Sequence, residues 1–113
     1  MDDKEELRVI CAALEDKLAD KLSILDISRI SVSADYFIIA SGKNVPQLRA
    51  LTDNVYDKLL EAGIKPLRAE GKPESGWILL DYGFVIIHIF SEEAREFYDL
   101  ERIWCDARRV VAL

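Results

Sequence analysis

W-I-L-L-D-Y-G-F-V-I-I-H-I-F, residues 77–90, is the stretch that decides the fold. Two apolar runs flank Tyr82-Gly83, and a glycine there supplies the positive φ that a tight turn often needs, so the stretch reads as two antiparallel strands. In the second run Val85, Ile87 and Ile89 point one way, and Phe84, Ile86, His88 and Phe90 the other. Both sets are largely apolar, which predicts a strand covered on both sides, by helices or by a partner. The aromatic and acidic run E-F-Y-D-L-E-R-I-W, residues 96–104, follows closely. Both tryptophans, Trp77 and Trp104, and the single histidine, His88, therefore share one third of the chain.

Upstream, Leu67 to Glu70 reads as a short strand, and Gly71-Lys72-Pro73-Glu74-Ser75-Gly76 as a loop by composition. Leu48, Leu51, Val55, Leu59 and Ala62 form one apolar stripe of a helix that starts near Pro46, takes Asn44 as its cap and stops at Gly63. Tyr36 to Ala40 is a buried strand ending at Ser41-Gly42, and Ile24 to Ile27 a shorter β-branched one. Leu7, Ile10, Cys11, Leu14 and Leu18 fall on one face of an amphipathic first helix. Downstream, Ser91 caps a short C-terminal helix with Glu92 and Glu93 in its first turn, where carboxylates favour the positive end of the dipole. No repeat or linker interrupts this order. Residues 1–113 read as one α+β domain, helices against a mixed sheet of about five strands.

Half of the residues are apolar and 32% are charged, the balance of a folded domain rather than a disordered tail. The net charge of −6 repels phosphate backbones, which disfavours direct nucleic-acid binding and suits a basic protein partner. Cys11 and Cys105 lack a Cys-x-x-Cys neighbour and read as reduced structural thiols of a cytosolic protein. The opening M-D-D-K-E-E has no leader pattern, and no apolar run approaches the roughly 20 residues needed to span a bilayer. The expectation is a soluble, cytoplasmic chain with no membrane contact.

Chemistry finds little support in the pattern. A metal site on His88 would need ligands from a chain without a second histidine or a nearby cysteine. Ser41-Gly42 lacks the first glycine of a nucleophile elbow, Asp81 and Asp35 stand alone, and Glu92-Glu93 look like a cap. Neither glycine-rich phosphate-binding motif occurs, so no cofactor is expected. Among the aromatics, Phe90 and Phe97 read as core. Trp77, Tyr82 and Tyr98, set beside Asp81, Asp99 and Glu101, remain open between core and interface, because Trp and Tyr bury much area at low entropy cost while keeping a polar handle.

At these residues the chain resembles the ribosomal silencing factor family, also called the Iojap family, over nearly its whole length. The motifs are A-D-Y-F-I-I-A-S-G from Ala34, D-N-V-Y-D-K-L from Asp53, E-G at Glu70-Gly71, W-I-L-L-D-Y-G from Trp77, V-I-I-H-I-F from Val85 and R-E-F-Y-D-L-E-R-I-W from Arg95. Two positions depart from the family pattern. Phe84 stands where an Asp usually follows the D-Y-G turn, and Cys105 where a Gly usually follows the last Trp.

The resemblance implies a nucleotidyltransferase-like topology without catalytic residues, a non-enzyme, and a homodimer when free. It also implies binding to the fourteenth large-subunit ribosomal protein, so that the bound factor blocks joining of the small subunit and represses translation. On that expectation Trp77 and Tyr98 are anchors, Asp81, Asp99 and Glu101 pair with basic groups, and Leu79, Tyr82, His88, Leu100 and Trp104 complete the contact set. Two alternatives accompany it: a large-subunit assembly factor, and a nucleotidyltransferase-like enzyme or nucleotide-binding module.

Overall fold

The computed structural model describes residues 1–113. The chain runs α1 (Asp3–Asp16), β1 (Asp20–Asp26), β2 (Tyr36–Gly42), α2 (Val45–Glu61), β3 (Arg68–Glu70), β4 (Trp77–Asp81), β5 (Val85–Ser91), α3 (Glu92–Tyr98), α4 (Leu100–Ile103) and β6 (Arg108–Arg109). The strands form one six-stranded sheet in the order β3-β4-β5-β2-β1-β6. It is mixed, because β2 and β5 run parallel while every other neighbouring pair is antiparallel.

The opening stretch folds as read but for Phe84, which precedes the strand and packs with the cluster that holds Val85, Ile87 and Ile89 instead of joining Ile86, His88 and Phe90. Trp77 pairs with Phe90 and Asp81 with Ile86, and Gly83 takes φ 92° in the connection. The turn is clamped by the Asp81 carboxylate, whose Oδ1 accepts from the Gly83 N–H at 2.9 Å, so Phe84 in place of a carboxylate leaves its geometry intact. Phe84 instead packs edge-on against Tyr36. The helix caps also fall where expected: Asn44 Oδ1 accepts from the Gln47 N–H, and Ser91 Oγ from the Ala94 N–H.

Several elements depart from the sequence reading. The first helix ends at Asp16, and Leu18 leaves the apolar stripe with φ 63° and 76% exposure, because the chain reverses there through bonds back to Leu14 and Glu15. β1 extends back to Asp20, with a register irregularity between Asp20 and Ser23. The loop before β4 folds into a 3₁₀ turn over Pro73–Ser75. The C-terminal helix breaks in two at Asp99, which adopts φ 45°. A sixth strand of two residues, β6, extends the sheet beyond the expected five; nothing in Arg108-Arg109 carries an apolar alternation, and only its pairing with Leu25 and Asp26 makes it a strand.

The two faces of the sheet are covered unequally. α1 and α2 pack over one, closing an 18-residue core that includes Ile38, Ile78, Leu80, Val85, Ile87 and Ile89. The other holds a cluster of only six buried apolar residues, among them Phe37, Ile39 and Phe90, packed against Ala94, Leu100, Trp104 and Ala107 of the C-terminal segment. That segment is tied down by a charged cluster. Arg95, 11% exposed, donates to both Glu101 oxygens at 3.2 Å and to Ser41 Oγ, while Arg109 donates to Glu101 Oε2 from beyond the last helix. Removing one member of such a partly buried pair strands the other charge.

Gly71 sets the approach of β3 to β4: it has φ 86°, and a Cβ there would lie 2.0 Å from the Trp77 carbonyl oxygen. Gly83 shares the positive φ but would meet only Leu67 Cδ1 at 3.5 Å, an ordinary contact. Gly83→Ala should therefore carry the left-handed backbone cost alone, about 1–2 kcal/mol. Gly71→Ala should cost more than Gly83→Ala and disturb the strand that presents Trp77, which urea midpoints of the two variants compare directly.

Candidate docking surface

β4 alternates Trp77, Leu79 and Asp81 toward the thinly covered face with Ile78 and Leu80 toward the α1–α2 core, as period-2 geometry requires. Register then places Phe90 beside Trp77, His88 beside Leu79 and Ile86 beside Asp81, and Phe37 and Ile39 of β2 continue the same rows. Across this face runs a row of rings. Phe97 stands edge-on to Tyr98 at 5.0 Å, Tyr98 lies 4.4 Å from Trp77, His88 5.9 Å from Trp77, and Phe37 links His88 to Trp104 at 4.7 and 5.1 Å. The row grades from open to closed: Phe97 is 81% exposed and Tyr98 42%, Trp77 is half-buried, and His88 is 4% exposed.

His88 is held by two opposed effects. Trp77 Nε1–H donates to its Nδ1 at 3.2 Å, while its Nε2 is buried without a partner. An unsatisfied buried N–H costs about 1–3 kcal/mol. Burial alone pushes the imidazole down to about pKa 4, so the ring is neutral at neutral pH.

Of the residues singled out from sequence, Trp77, Leu79, His88, Tyr98, Leu100 and Trp104 meet on this face. The others do not join them as free contacts. Tyr82 turns to the opposite side, 8% exposed within the α1–α2 core, where burial pushes its phenol up to about 12 and its hydroxyl has no partner. Being one residue beyond Asp81 at the strand end, it faces away from Trp77. Asp81 uses Oδ1 on the turn and Oδ2 on Arg68 Nε. Asp99 binds Arg102, and both Glu101 oxygens are taken inside the chain. Phe97, expected in the core, is exposed instead, because consecutive residues of a helix do not share a face and Tyr98 takes the direction of Trp77. Ile86, half-open between Asp81 and Phe37, was missed as part of the surface; its place on the His88 side of the alternation was the available signal.

The segment from α3 to the turn after α4 carries Glu92, Glu93, Glu96, Asp99, Glu101 and Asp106 to only two cations, Arg95 and Arg102, so the margin it gives the aromatic face is acidic. A concavity of about 780 Å³ opens between this segment and the ends of β1 and β2, and it is lined by charges of both signs, including Lys21, Glu92, Arg95, Glu101 and Arg109. No three His, Cys, Asp or Glu side chains converge as a metal site. Cys11 is buried and Cys105 exposed, both as free thiols, so only the first sits in the packing. No helix is long and apolar enough to cross a membrane.

Comparison with known proteins places this surface in context. A family model described as "Ribosomal silencing factor during starvation" matches residues 1–112. Ribosomal silencing factor RsfS of Bacillus subtilis is 38% identical over 107 residues, 95% of this chain and 91% of that protein. The same-named protein of Halalkalibacterium halodurans is 34% identical, covering 97% and 94%. More distant is the mouse protein named "Mitochondrial assembly of ribosomal large subunit protein 1", 27% identical over 89% of this chain and 46% of its own length. Among solved structures, a Chromobacterium violaceum protein superposes with TM-score 0.88 at 33% identity, covering 92% of this chain and 87% of its own, and a Bacillus halodurans protein with 0.85 at 31%, covering 97% and 100%. With sequence matched end to end and the six-stranded fold shared, this chain belongs to the RsfS family of ribosomal silencing factors.

Proposed function

We propose that the chain represses translation by occupancy: it docks on the large ribosomal subunit through that subunit's fourteenth ribosomal protein and keeps the small subunit from joining. One observation carries the reading. The half-exposed rings of Trp77 and Tyr98, with Leu79 and Ile86, sit on the one sheet face that the chain's own helices leave open, beside the acidic margin of α3 and α4. Rigid aromatic anchors ringed by charge are what a specific protein interface needs, and carboxylates at the margin steer a basic partner. Asp81, Asp99 and Glu101 act in this reading chiefly by shaping the surface, since each is already paired within the chain.

Occupancy requires no turnover, so the chain works as a non-enzymatic factor in the cytoplasm. An interface that withstands competition from subunit joining needs about 1,200–2,000 Å² in total, and Phe97 and Ile103, both largely exposed, extend the apolar surface toward that size. The free chain is read as a homodimer. A role in large-subunit assembly is the second reading, favoured by the name of the mouse relative, and it uses the same surface.

Trp77→Ala and Tyr98→Ala should each weaken cosedimentation with large subunits by about thirtyfold, the worth of one true anchor. Tyr82→Phe, on the opposite face, should bind as the parent does and lose no stability, because it removes a hydroxyl that has no partner. Equal binding by all three variants and the parent would exclude this surface. In a sucrose gradient, saturating protein should shift intact ribosomes toward free subunits, and the Trp77→Ala protein should fail to do so at the same concentration. An unchanged profile with the parent protein would refute repression by occupancy while leaving the assembly reading, which depletion followed by analysis of precursor ribosomal RNA tests separately.

A further inference from the structure

We propose that His88 is a positioning residue for Trp77: by accepting the indole N–H at Nδ1, it selects the orientation in which that ring is presented on the docking face. The proposal rests on the reading that Trp77 is an anchor, and it concerns a residue that is itself too buried to touch a partner.

The chemistry of the two groups determines the direction of the bond. An indole nitrogen only donates, so Nδ1 must be unprotonated, and the single proton of the neutral ring sits on Nε2. That N–H is buried and has no acceptor. A leucine or phenylalanine would fill the same space without an orphaned donor. The imidazole is accounted for by what its other nitrogen does.

Packing alone leaves the indole underdetermined. Trp77 lies between Tyr98 at 4.4 Å and Phe90 at 5.0 Å, tilted by 46° and 36° to them, and such ring contacts are non-directional, while the outer torsion of an aromatic side chain has two broad wells that point the indole N–H to different sides. Only a directional contact distinguishes the two orientations. His88 is placed to make it, because Leu79 pairs with His88 and Trp77 with Phe90, which sets Trp77 and His88 as diagonal neighbours on one face.

The acceptor also survives over a wide pH range. The titratable groups on the elements packed along this face are Asp81, Arg68 and Glu70 toward one sheet edge, Tyr98 over Trp77, and Arg95 with Glu101 toward β1. None of them moves the imidazole, whose downward shift comes from burial alone. Because its folded-state value lies below the ordinary one, Nδ1 stays free to accept from neutral pH down to about 4. Over that interval the unfolded chain takes up the proton first, so folding stability falls as pH drops from about 6.5 toward about 4.

The test uses the full chain labelled with ¹⁵N. In the wild type, His88 Nδ1 should appear unprotonated at pH 7, and the Trp77 indole N–H should be protected from exchange. His88→Leu should lose that protection and bind large subunits about fivefold less tightly, the worth of one ordinary hydrogen bond. His88→Gln, whose amide oxygen can accept, should recover both. A proton on Nδ1 of the wild type at pH 7 overturns the proposal even if the leucine variant fails to fold, and so does a folded His88→Leu protein with unchanged indole exchange and binding. Trp77→Ala binding serves as the reference. If that variant binds like the parent, the docking reading itself falls and this proposal with it, whereas weakened Trp77→Ala beside unaffected His88→Leu removes the positioning role alone.

Discussion

Everything in this fold follows from β5 being apolar on both faces at the centre of its sheet. A strand with Val85, Ile87 and Ile89 on one side and Ile86, His88 and Phe90 on the other has to be covered twice. The chain has enough long helix to do it once. α1 and α2, of 14 and 17 residues, seal the first face completely, while α3 and α4, of 7 and 4 residues, reach only part of the second. The open end of the aromatic row lies in the uncovered remainder. The candidate site is thus a consequence of helix length, with Trp77, Leu79 and Ile86 left half-exposed beside Tyr98 where the C-terminal segment stops short.

The short segment stays in place by a different kind of interaction from the rest of the core. Where α1 and α2 are held by buried aliphatic side chains, α3 and α4 rely on Leu100 and Trp104 plus the Arg95–Glu101–Arg109 cluster anchored at Ser23 and Ser41. Directional, charge-assisted bonds fix orientation better than apolar contact does, which suits a segment whose task is to hold Tyr98 over Trp77. The acidic residues near the site consequently divide in role. Glu101 and Asp81 shape the surface from within, and the outer carboxylates of α3, such as Glu93 and Glu96, are left to set its field.

Much of this is legible in the residues alone. The helix bounds at Asn44 and Gly63, the cap at Ser91 and the hairpin about Gly83 each rest on a local conformational rule, and each fell in place within a residue or two. The errors share a cause. Leu18, Tyr82, Phe97 and β6 all depend on how a chain end or turn meets another element, which no local period encodes. Tyr82 and Trp77 look equivalent as interface aromatics in the sequence, yet they lie on opposite faces of the sheet.

The amino-acid order by itself determined the α+β class, the double-sided burial of β5, the acidic balance and the motifs that mark the family, because these reside in composition and in periods of two and about 3.6 residues. Only the tertiary structure decided which face stays open, which of the rings lie on it and which carboxylates are already spent on Arg68, Arg95 and Arg102. The physical reason is that exposure and charge pairing belong to pairs of residues distant in the chain. Such pairs exist only once the sheet has brought them together.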